Sequence, residues 1–181
     1  MNQSKYELTD ETKVVVTLSG NGWPRQEKQT TVYRIRATRS FADVKEGDLG
    51  GFVETTDNLD TDPGSSCWIG GDAVVMEDAR VGENAWVCGQ ALISGAARIY
   101  GLATVCGQAQ VKGQAQVFDN ATVMDLADVF NDARVSGNAT VKHSALVIGS
   151  ARVYGSANVT GIAQNDDEIS CDAFERELEC G

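Results

Sequence analysis

Residues 85–114 read AWVCGQALISGAARIYGLATVCGQAQVKGQ, which is five successive units of the form Ala-x-Val/Ile-x-Gly-x. The same register extends in both directions. Every sixth position from Ala73 to Ala163 is Ala, sixteen in all, and every sixth position from Ile69 to Val159 is Val or Ile, again sixteen. The hexapeptide spacing therefore runs without an insertion over about half of the chain.

A six-residue period fits neither an α-helix of 3.6 residues per turn nor a heptad. It predicts coils with three flat faces, in which each unit makes one short strand and one corner. The Val or Ile points inward, the Ala packs inside the corner, and Gly permits the backbone angles of the corner. Residues eighteen apart then stack at about 4.8 Å. The predicted fold is an all-β parallel β-helix of about five coils, stabilised by about 1.5–3 kcal/mol per buried aliphatic side chain.

The chain divides into three segments around this repeat. Residues 1–67 lack the period and predict an N-terminal β-rich cap, with strands at 13–18 and 31–36. Residues 68–163 form the β-helix of sixteen hexapeptide repeats.

Residues 164–181 predict an acidic C-terminal tail that folds as a short helix. Acidic residues at its start favour a helix N-terminus, and Phe174 and Leu178 follow with i,i+4 spacing. The acidic side chains of the tail include Asp166, Asp167, Glu168, Asp172 and Glu175.

The repeats resemble the left-handed β-helix hexapeptide-repeat superfamily, whose members include many acyl- and nucleotidyl-associated transferases. The lead-in TVYRIRATRSFADVKEGDLGGFVE, residues 31–54, together with Cys67-Trp68-Ile69, also resembles small phage- and prophage-encoded repeat proteins. Those proteins are described as transferases or polymer-forming proteins without an established activity. The resemblance implies a left-handed coil and a phage or prophage origin.

Composition narrows the function classes further. The net charge of -11 and the pI of about 4.4 argue against direct nucleic-acid binding, which needs clustered Lys and Arg. No apolar stretch is long enough to cross a membrane, and the N-terminus lacks an apolar leader. Five cysteines without a CxxC spacing indicate neither a zinc site nor a disulfide framework. We expect a cytoplasmic protein without metal or cofactor.

The face that carries Val81, Val117 and Val153 is the first candidate binding surface. Arginines precede its inward residues and aromatic side chains follow them. We call this set the Arg/aromatic face: Arg80, Arg98, Arg134, Arg152, Tyr100, Phe118 and Tyr154. Arginine beside aromatic rings suits an anionic or aromatic ligand, an acidic protein patch or a second copy of the chain. Solvation of an exposed strand explains the same residues equally well.

The other two faces carry fewer candidates. The apolar face comprises Val74, Met76, Leu92, Phe130, Leu146 and Ile148, and it favours self-association or contact with the end caps. On the third face Cys88 and Cys106 lie one coil apart, but their parallel side chains argue against a disulfide.

One histidine is available for catalysis. His143 occupies a corner position that Gly usually fills, and Asp125 occupies the same corner one coil earlier. The superfamily resemblance implies that such a His acts as general base for acyl transfer, beside a groove between trimer subunits. An ion pair at a tolerant corner is the alternative, and the uninterrupted repeats leave no loop to form a substrate pocket.

These observations favour a non-catalytic binding protein that acts through protein–protein contact. With a phage origin, its partner would be a host nucleic-acid-handling or defence factor, and we also expect a homo-oligomer, a dimer or trimer. A hexapeptide acyltransferase that uses His143 is the second hypothesis. A structural or polymer-forming element is the third.

Overall fold

The computed structural model is an all-β parallel β-solenoid of about seven turns. It describes residues 4–19, 26–62 and 64–170. Within these residues the only helical element is one 3₁₀ turn, η1 (Thr56–Asn58), and no helix is long and apolar enough to span a bilayer.

The solenoid strands are two or three residues long, whereas the strands before them are longer. In chain order the strands are β1 (Tyr6–Ser19), β2 (Gln26–Ala37), β3 (Leu49–Val53), β4 (Trp68–Ile69), β5 (Val74–Val75), β6 (Arg80–Val81), β7 (Trp86–Val87), β8 (Leu92–Ile93), β9 (Arg98–Ile99), β10 (Thr104–Val105), β11 (Gln110–Val111), β12 (Gln116–Val117), β13 (Thr122–Val123), β14 (Asp128–Val129), β15 (Arg134–Val135), β16 (Thr140–Val141), β17 (Leu146–Val147), β18 (Arg152–Tyr154), β19 (Asn158–Val159), β20 (Ile162–Ala163) and β21 (Glu168–Ser170).

Three sheets form the sides of the solenoid. The largest has nine strands in the order β1-β2-β3-β5-β8-β11-β14-β17-β20, of which β1, β2 and β3 pair antiparallel and the others parallel. The other two sheets have six parallel strands each, β4 to β19 and β6 to β21. Most partners are eighteen residues apart, as with Val105 and Val123. Each face of the predicted coil is therefore one sheet.

The inward positions of the repeat form a continuous core. The aliphatic residues of the period, such as Val105 and Val123, and the corner alanines, such as Ala103 and Ala121, are fully buried. A small Ala fits there because neighbouring sheets converge at each corner. The core needs little side-chain ordering, since Val and Ala have few rotamers to lose.

The corners force the backbone into the left-handed region. Every sixth residue from Gly71 to Gly155 has positive φ. A Cβ at Gly101 would lie 2.7 Å from the Asp119 backbone nitrogen, so the close approach of adjacent coils also favours Gly there. Six of these corners nevertheless carry another side chain.

Four of those six side chains are carboxylates, and each accepts a hydrogen bond from a backbone N–H one coil further on. The donor–acceptor pairs are Gly95 N to Glu77 Oε2 (2.7 Å), Gly101 N to Glu83 Oε2 (3.0 Å), Gly137 N to Asp119 Oδ2 (3.1 Å) and His143 N to Asp125 Oδ2 (2.9 Å). These bonds supply partners for corner N–H groups that the sheets do not pair. The corner carboxylates are thus part of the scaffold.

The solenoid extends beyond the repeats at both ends, which is why it has about seven turns and not about five. At the start, β3 pairs in parallel with β5, and Leu59 forms a bridge with Val81. Both pairings join residues 22 apart, so the first turn is longer than the others. Its extra residues lie in the connection before β4.

At the other end the last turn is two residues shorter. Leu146 pairs with Ile162 and Arg152 pairs with Glu168, both sixteen residues apart. Ala163 therefore takes an inward strand position beside Val147 and not the corner that its place in the period predicts. The shortening brings Ile169 into register with Val153, where an inward residue is needed to continue the core.

The tail begins as a strand, which corrects the helix predicted for its start. Glu168 begins β21, because pairing with β18 satisfies the backbone hydrogen bonds of this segment and packs Ile169 against the core. The rest of the predicted helix, with Phe174 and Leu178, lies outside the described residues.

The N-terminal segment closes the first end of the solenoid. The predicted strands at 13–18 and 31–36 lie within β1 and β2. Lys5 is fully buried beneath this cap and donates hydrogen bonds to the backbone oxygen of Ser65 (3.2 Å), to its hydroxyl (3.1 Å) and to the sulfur of Cys67 (3.2 Å). The hydroxyl of Tyr6 donates to the carbonyl oxygens of Thr56 and Leu59.

An ion pair also joins the cap to the first corner. The ammonium of Lys28 on β2 lies 2.9 Å from Oε1 of Glu77. Its hydrogen bond holds the pKa of Glu77 below the usual value, and the N–H of Gly95 acts in the same direction, while burial opposes both. The folded protein therefore favours the charged carboxylate.

This pKa shift predicts how the stability of Glu77→Gln depends on pH. The contribution of a carboxylate with a lowered folded pKa is complete above its unfolded pKa and is lost as the pH falls through the folded value. We expect Glu77→Gln to unfold at lower urea than the parent at pH 7, with the difference shrinking below about pH 4.5. Glu46→Gln, at an exposed side chain, is the control. A difference that persists unchanged at pH 3 contradicts the assignment.

Candidate functional site

The Arg/aromatic face is the outer surface of the sheet from β6 to β21. Val81, Val117 and Val153 point into the core, which turns the residues on either side of each outward. Arg80, Arg98, Arg134 and Arg152 are exposed at the first strand positions, and Gln116 takes the same position on β12. The predicted ladder of arginines thus forms a single column with one interruption.

The aromatic residues form a second column beside the arginines. The rings of Tyr100 and Phe118 stack with centroids 5.0 Å apart and planes 2° from parallel, which is the spacing of adjacent coils. The Tyr100 hydroxyl donates to Oε1 of Gln116 at 3.3 Å. Burial raises the pKa of Tyr100, opposed mainly by the positive charge of Arg134. Tyr154 is exposed further along the column.

Ion pairing distinguishes three arginines of this face from Arg34 and Arg36 of the cap. Arg34 binds Glu11 at 2.8 Å, and Arg36 binds Glu7 at 2.6 Å. By contrast, the guanidinium groups of Arg80, Arg98 and Arg134 have no carboxylate within 4.0 Å in residues 4–19, 26–62 and 64–170. The rungs therefore place three cations in line, and none of the three has a counter-charge within 4.0 Å among the described residues.

Acidic residues mark both ends of this row. Arg152 lies 3.5 Å from Glu168, which stands above it on β21. At the other end Asp60 follows Leu59, the residue that bridges to Val81, so Asp60 lies one rung beyond Gly82. The unpaired arginines lie between these two carboxylates.

A notch interrupts the face at Gly82. Aromatic side chains follow the inward residues of β9 and β12, but β6 is followed by Gly82, which leaves a gap between Asp60 and Tyr100. A Cβ at Gly82 would have the Asp60 Cβ as its nearest neighbour, at 3.8 Å. The resulting cavity of about 630 Å³ is lined on the solenoid by Arg80, Glu83, Arg98, Tyr100 and Gln116, and on the other side by Thr56, Asp57, Leu59, Asp60 and Thr61.

The sequence predicted the arginines and aromatics of this notch but missed its second wall. Thr56, Asp57, Asp60 and Thr61 belong to a non-repeat segment whose packing has no periodic signal. Gly82 was the available signal, because it is the one position of the aromatic column between β6 and β12 without a side chain.

The predicted apolar face divides into two parts. Val74 and Met76 are buried with Val32 and Phe52 of the cap, so the first part contacts the N-terminal strands. Leu92 packs against this cluster. Phe130, Leu146 and Ile148 are half-buried on the later coils, and burial raises the pKa of Asp128 beside them.

His143 and Asp125 lie together at one corner, as their spacing predicted. Nδ1 of His143 is 3.9 Å from Oδ2 of Asp125, and both side chains are more than half exposed. The same Oδ2 accepts the backbone N–H of His143. Asp125 therefore accepts a corner N–H, as the other corner carboxylates do. Neither of the cavities described in this structure includes His143.

The tail residues are only partly described. Asp166, Asp167 and Glu168 are exposed after β20. Asp172 and Glu175 lie outside the described residues. Within the described chain no group of three or more His, Cys, Asp and Glu side chains is arranged to hold a metal ion.

Comparison with known proteins agrees with the architecture. Residues 133–149, which contain β15, β16 and β17, match the family model described as YdcK Beta solenoid repeat. No curated protein matches the chain. The repeat match and the fold together define a β-solenoid repeat protein.

The corner geometry of His143 generates a prediction about stability. Its φ of +62° costs a non-glycine residue about 1–2 kcal/mol, partly offset by the unfolded-state freedom that Gly adds. His143→Gly keeps the backbone N–H that Asp125 accepts, so we expect an unfolding free energy that is unchanged or higher by up to about 1 kcal/mol. Urea denaturation measures it, with Ser144→Gly, which lacks positive φ, as the control. An equal loss of stability in both variants contradicts this account.

Proposed function

We propose that this protein is a left-handed hexapeptide β-helix that acts as a non-catalytic binding protein, with the Arg/aromatic face as its partner-binding surface. The observation that carries the proposal is the row of guanidinium groups at Arg80, Arg98 and Arg134, which pair with no carboxylate of the described residues. A guanidinium without a counter-charge can form charge-assisted hydrogen bonds to a carboxylate of a partner. Arginine and tyrosine are also enriched at the energetic centres of interfaces.

The notch specifies the chemistry of the partner segment. One face of the Tyr100 ring stacks on Phe118, and the ring also lines the cavity at Gly82. An aromatic side chain of the partner fits there as the next ring of the stack. A neighbouring carboxylate on the partner pairs with Arg98 or Arg80, and a basic group pairs with Asp60. The partner is thus a protein segment with an aromatic anchor and mixed charge.

The setting of the proposal follows from charge and resemblance. A phage- or prophage-encoded protein of net charge -11 acts in the cytoplasm of its host, where its negative surface steers it towards basic proteins that handle nucleic acid or act in defence. The Arg/aromatic face then provides the specific contact, and the binding inhibits that host factor.

Self-association is the second candidate function. Phe130, Leu146 and Ile148 leave a half-buried apolar strip on the later coils, which suits contact with another copy in a dimer or trimer. The acyltransferase alternative finds less support, because the exposed His143 lines neither of the two cavities described and its Asp125 partner has a scaffold role. End-to-end polymers are disfavoured by the cap that covers the first end of the solenoid.

The charge of the face is tested by the double variant Arg98→Glu, Arg134→Glu. Tagged parent and variants are used to capture proteins from bacterial lysate at moderate salt, and the bound proteins are quantified by mass spectrometry. We expect one stoichiometric partner with the parent and a loss of at least about 30-fold with the variant, because two charge-assisted contacts are reversed. The melting temperature should change little, since both side chains are exposed.

The matched control is Lys112→Glu, Lys142→Glu, which changes the net charge equally on the other two faces. A partner that depends on the Arg/aromatic face stays bound to the control. Equal retention by all three proteins refutes the proposal, and recovery of the chain alone redirects attention to self-association.

Filling the notch provides an independent prediction. Gly82→Tyr places a ring where the aromatic column lacks one, and the backbone at Gly82 does not require Gly because its φ is not positive. We expect normal folding and at least about tenfold weaker partner binding, since the anchor site is occupied. Gly82→Ala, which leaves most of the cavity open, should bind like the parent. Undiminished binding by Gly82→Tyr contradicts the aromatic anchor while leaving the charge test intact.

A further inference from the structure

Two cysteines of the third face lie side by side on adjacent coils. Cys88 follows β7 and Cys106 follows β10, and these strands pair in parallel with Val87 beside Val105. The backbone N–H of Cys88 donates to Val105, and that of Cys106 donates to Val123, both at 2.9 Å. Both side chains are half-buried, and both thiols are free. The scaffold therefore stacks the two cysteine side chains one coil apart.

A third sulfur-bearing side chain lies in the same column. Met124 is one coil beyond Cys106, and its N–H donates to Val141 at 2.9 Å. An ion midway between Cys88 and Cys106 is about 7 Å from the Met124 rung. The two cysteines alone therefore supply its ligands.

The spacing of the coils matches a linear metal–thiolate unit. Two metal–sulfur bonds of about 2.3 Å, as in zinc thiolates, span about 4.6 Å when collinear. Adjacent parallel strands are about 4.8 Å apart. A disulfide instead requires the sulfurs to approach to about 2.05 Å and two electrons to be lost to an oxidant. A two-coordinate ion joins the thiolates without displacing the coils.

We propose that Cys88 and Cys106 form a two-coordinate binding site for one soft monovalent cation, Cu(I). Thiolate and thioether ligands select Cu(I) over harder ions. Both thiols lose their protons on binding, so that two thiols and one Cu⁺ give a bis-thiolate complex of charge -1 and two H⁺. This site is separate from the Arg/aromatic face and does not depend on the proposed partner.

Proton release makes the affinity depend on pH. Cysteine thiols are mostly protonated at neutral pH, so two protons leave when the ion binds to both. The apparent affinity should therefore rise about 100-fold per pH unit, tenfold for each proton displaced. A site that uses a single thiol rises only about tenfold.

The test uses the full chain with Cys171→Ser and Cys180→Ser, which leaves Cys88, Cys106 and the fully buried Cys67. The reduced protein is titrated with Cu(I) without oxygen, in competition with the chelator bathocuproine disulfonate. We expect one Cu(I) per chain. Cys88→Ser or Cys106→Ser should lower the affinity at least about 100-fold, whereas Met124→Leu should retain it.

Cys67→Ser is the matched control and should retain the parent affinity, with thermal melting to confirm that each variant folds. Retention of the parent affinity by Cys88→Ser overturns the proposal. So does a reduced parent chain that fails to bind one Cu(I), including the case in which peptide mapping finds that the two cysteines have formed a disulfide instead.

Discussion

The structure depends on the in-register stacking of coils through backbone hydrogen bonds between parallel strands. Each rung places a residue directly above the one eighteen positions earlier, as Val105 lies above Val87 and below Val123. Once this register is set, the inward aliphatic side chains and the corner alanines have fixed places. The outer surface is then a set of columns, and each coil contributes one residue to each column.

Stacking places side chains of the same kind in one column, which concentrates charge on one face and limits the ion pairs that each side chain can form. Arginines one coil apart cannot form ion pairs with each other, so they meet counter-charges only where the repeat ends or another segment crosses the face. Arg152 forms an ion pair with Glu168 in this way, because the shorter last turn places Glu168 beside it on β21. Carboxylates at the corners, such as Asp119 and Asp125, are already bonded to backbone N–H groups. Arg98 and Arg134 are left with exposed positive charge on an acidic protein.

The repeats were predictable because a six-residue period ties each residue type to one environment. The Ala and Val of the period, the corner glycines and the order of the outward columns all follow from it. The ends did not, since their registers of 22 and 16 residues depend on which aliphatic residue, Leu59 or Ile169, reaches the core. The role of the corner carboxylates was also missed, because the sequence does not show that a carboxylate such as Glu77 accepts a backbone N–H one coil further on.

The candidate site lies where the repeats meet the non-repeat segment that precedes them. A perfect solenoid has a convex exterior with no concavity larger than the groove between rungs. A cavity arises where one column loses a side chain, as at Gly82, and a segment outside the period supplies a wall, as residues 56–61 do. The rigid coils hold the backbone of Arg98 and the stacked ring of Tyr100 in place before a partner arrives, so little backbone entropy is lost on binding. The repeat thus presents the side chains, and the irregular cap gives the surface its shape.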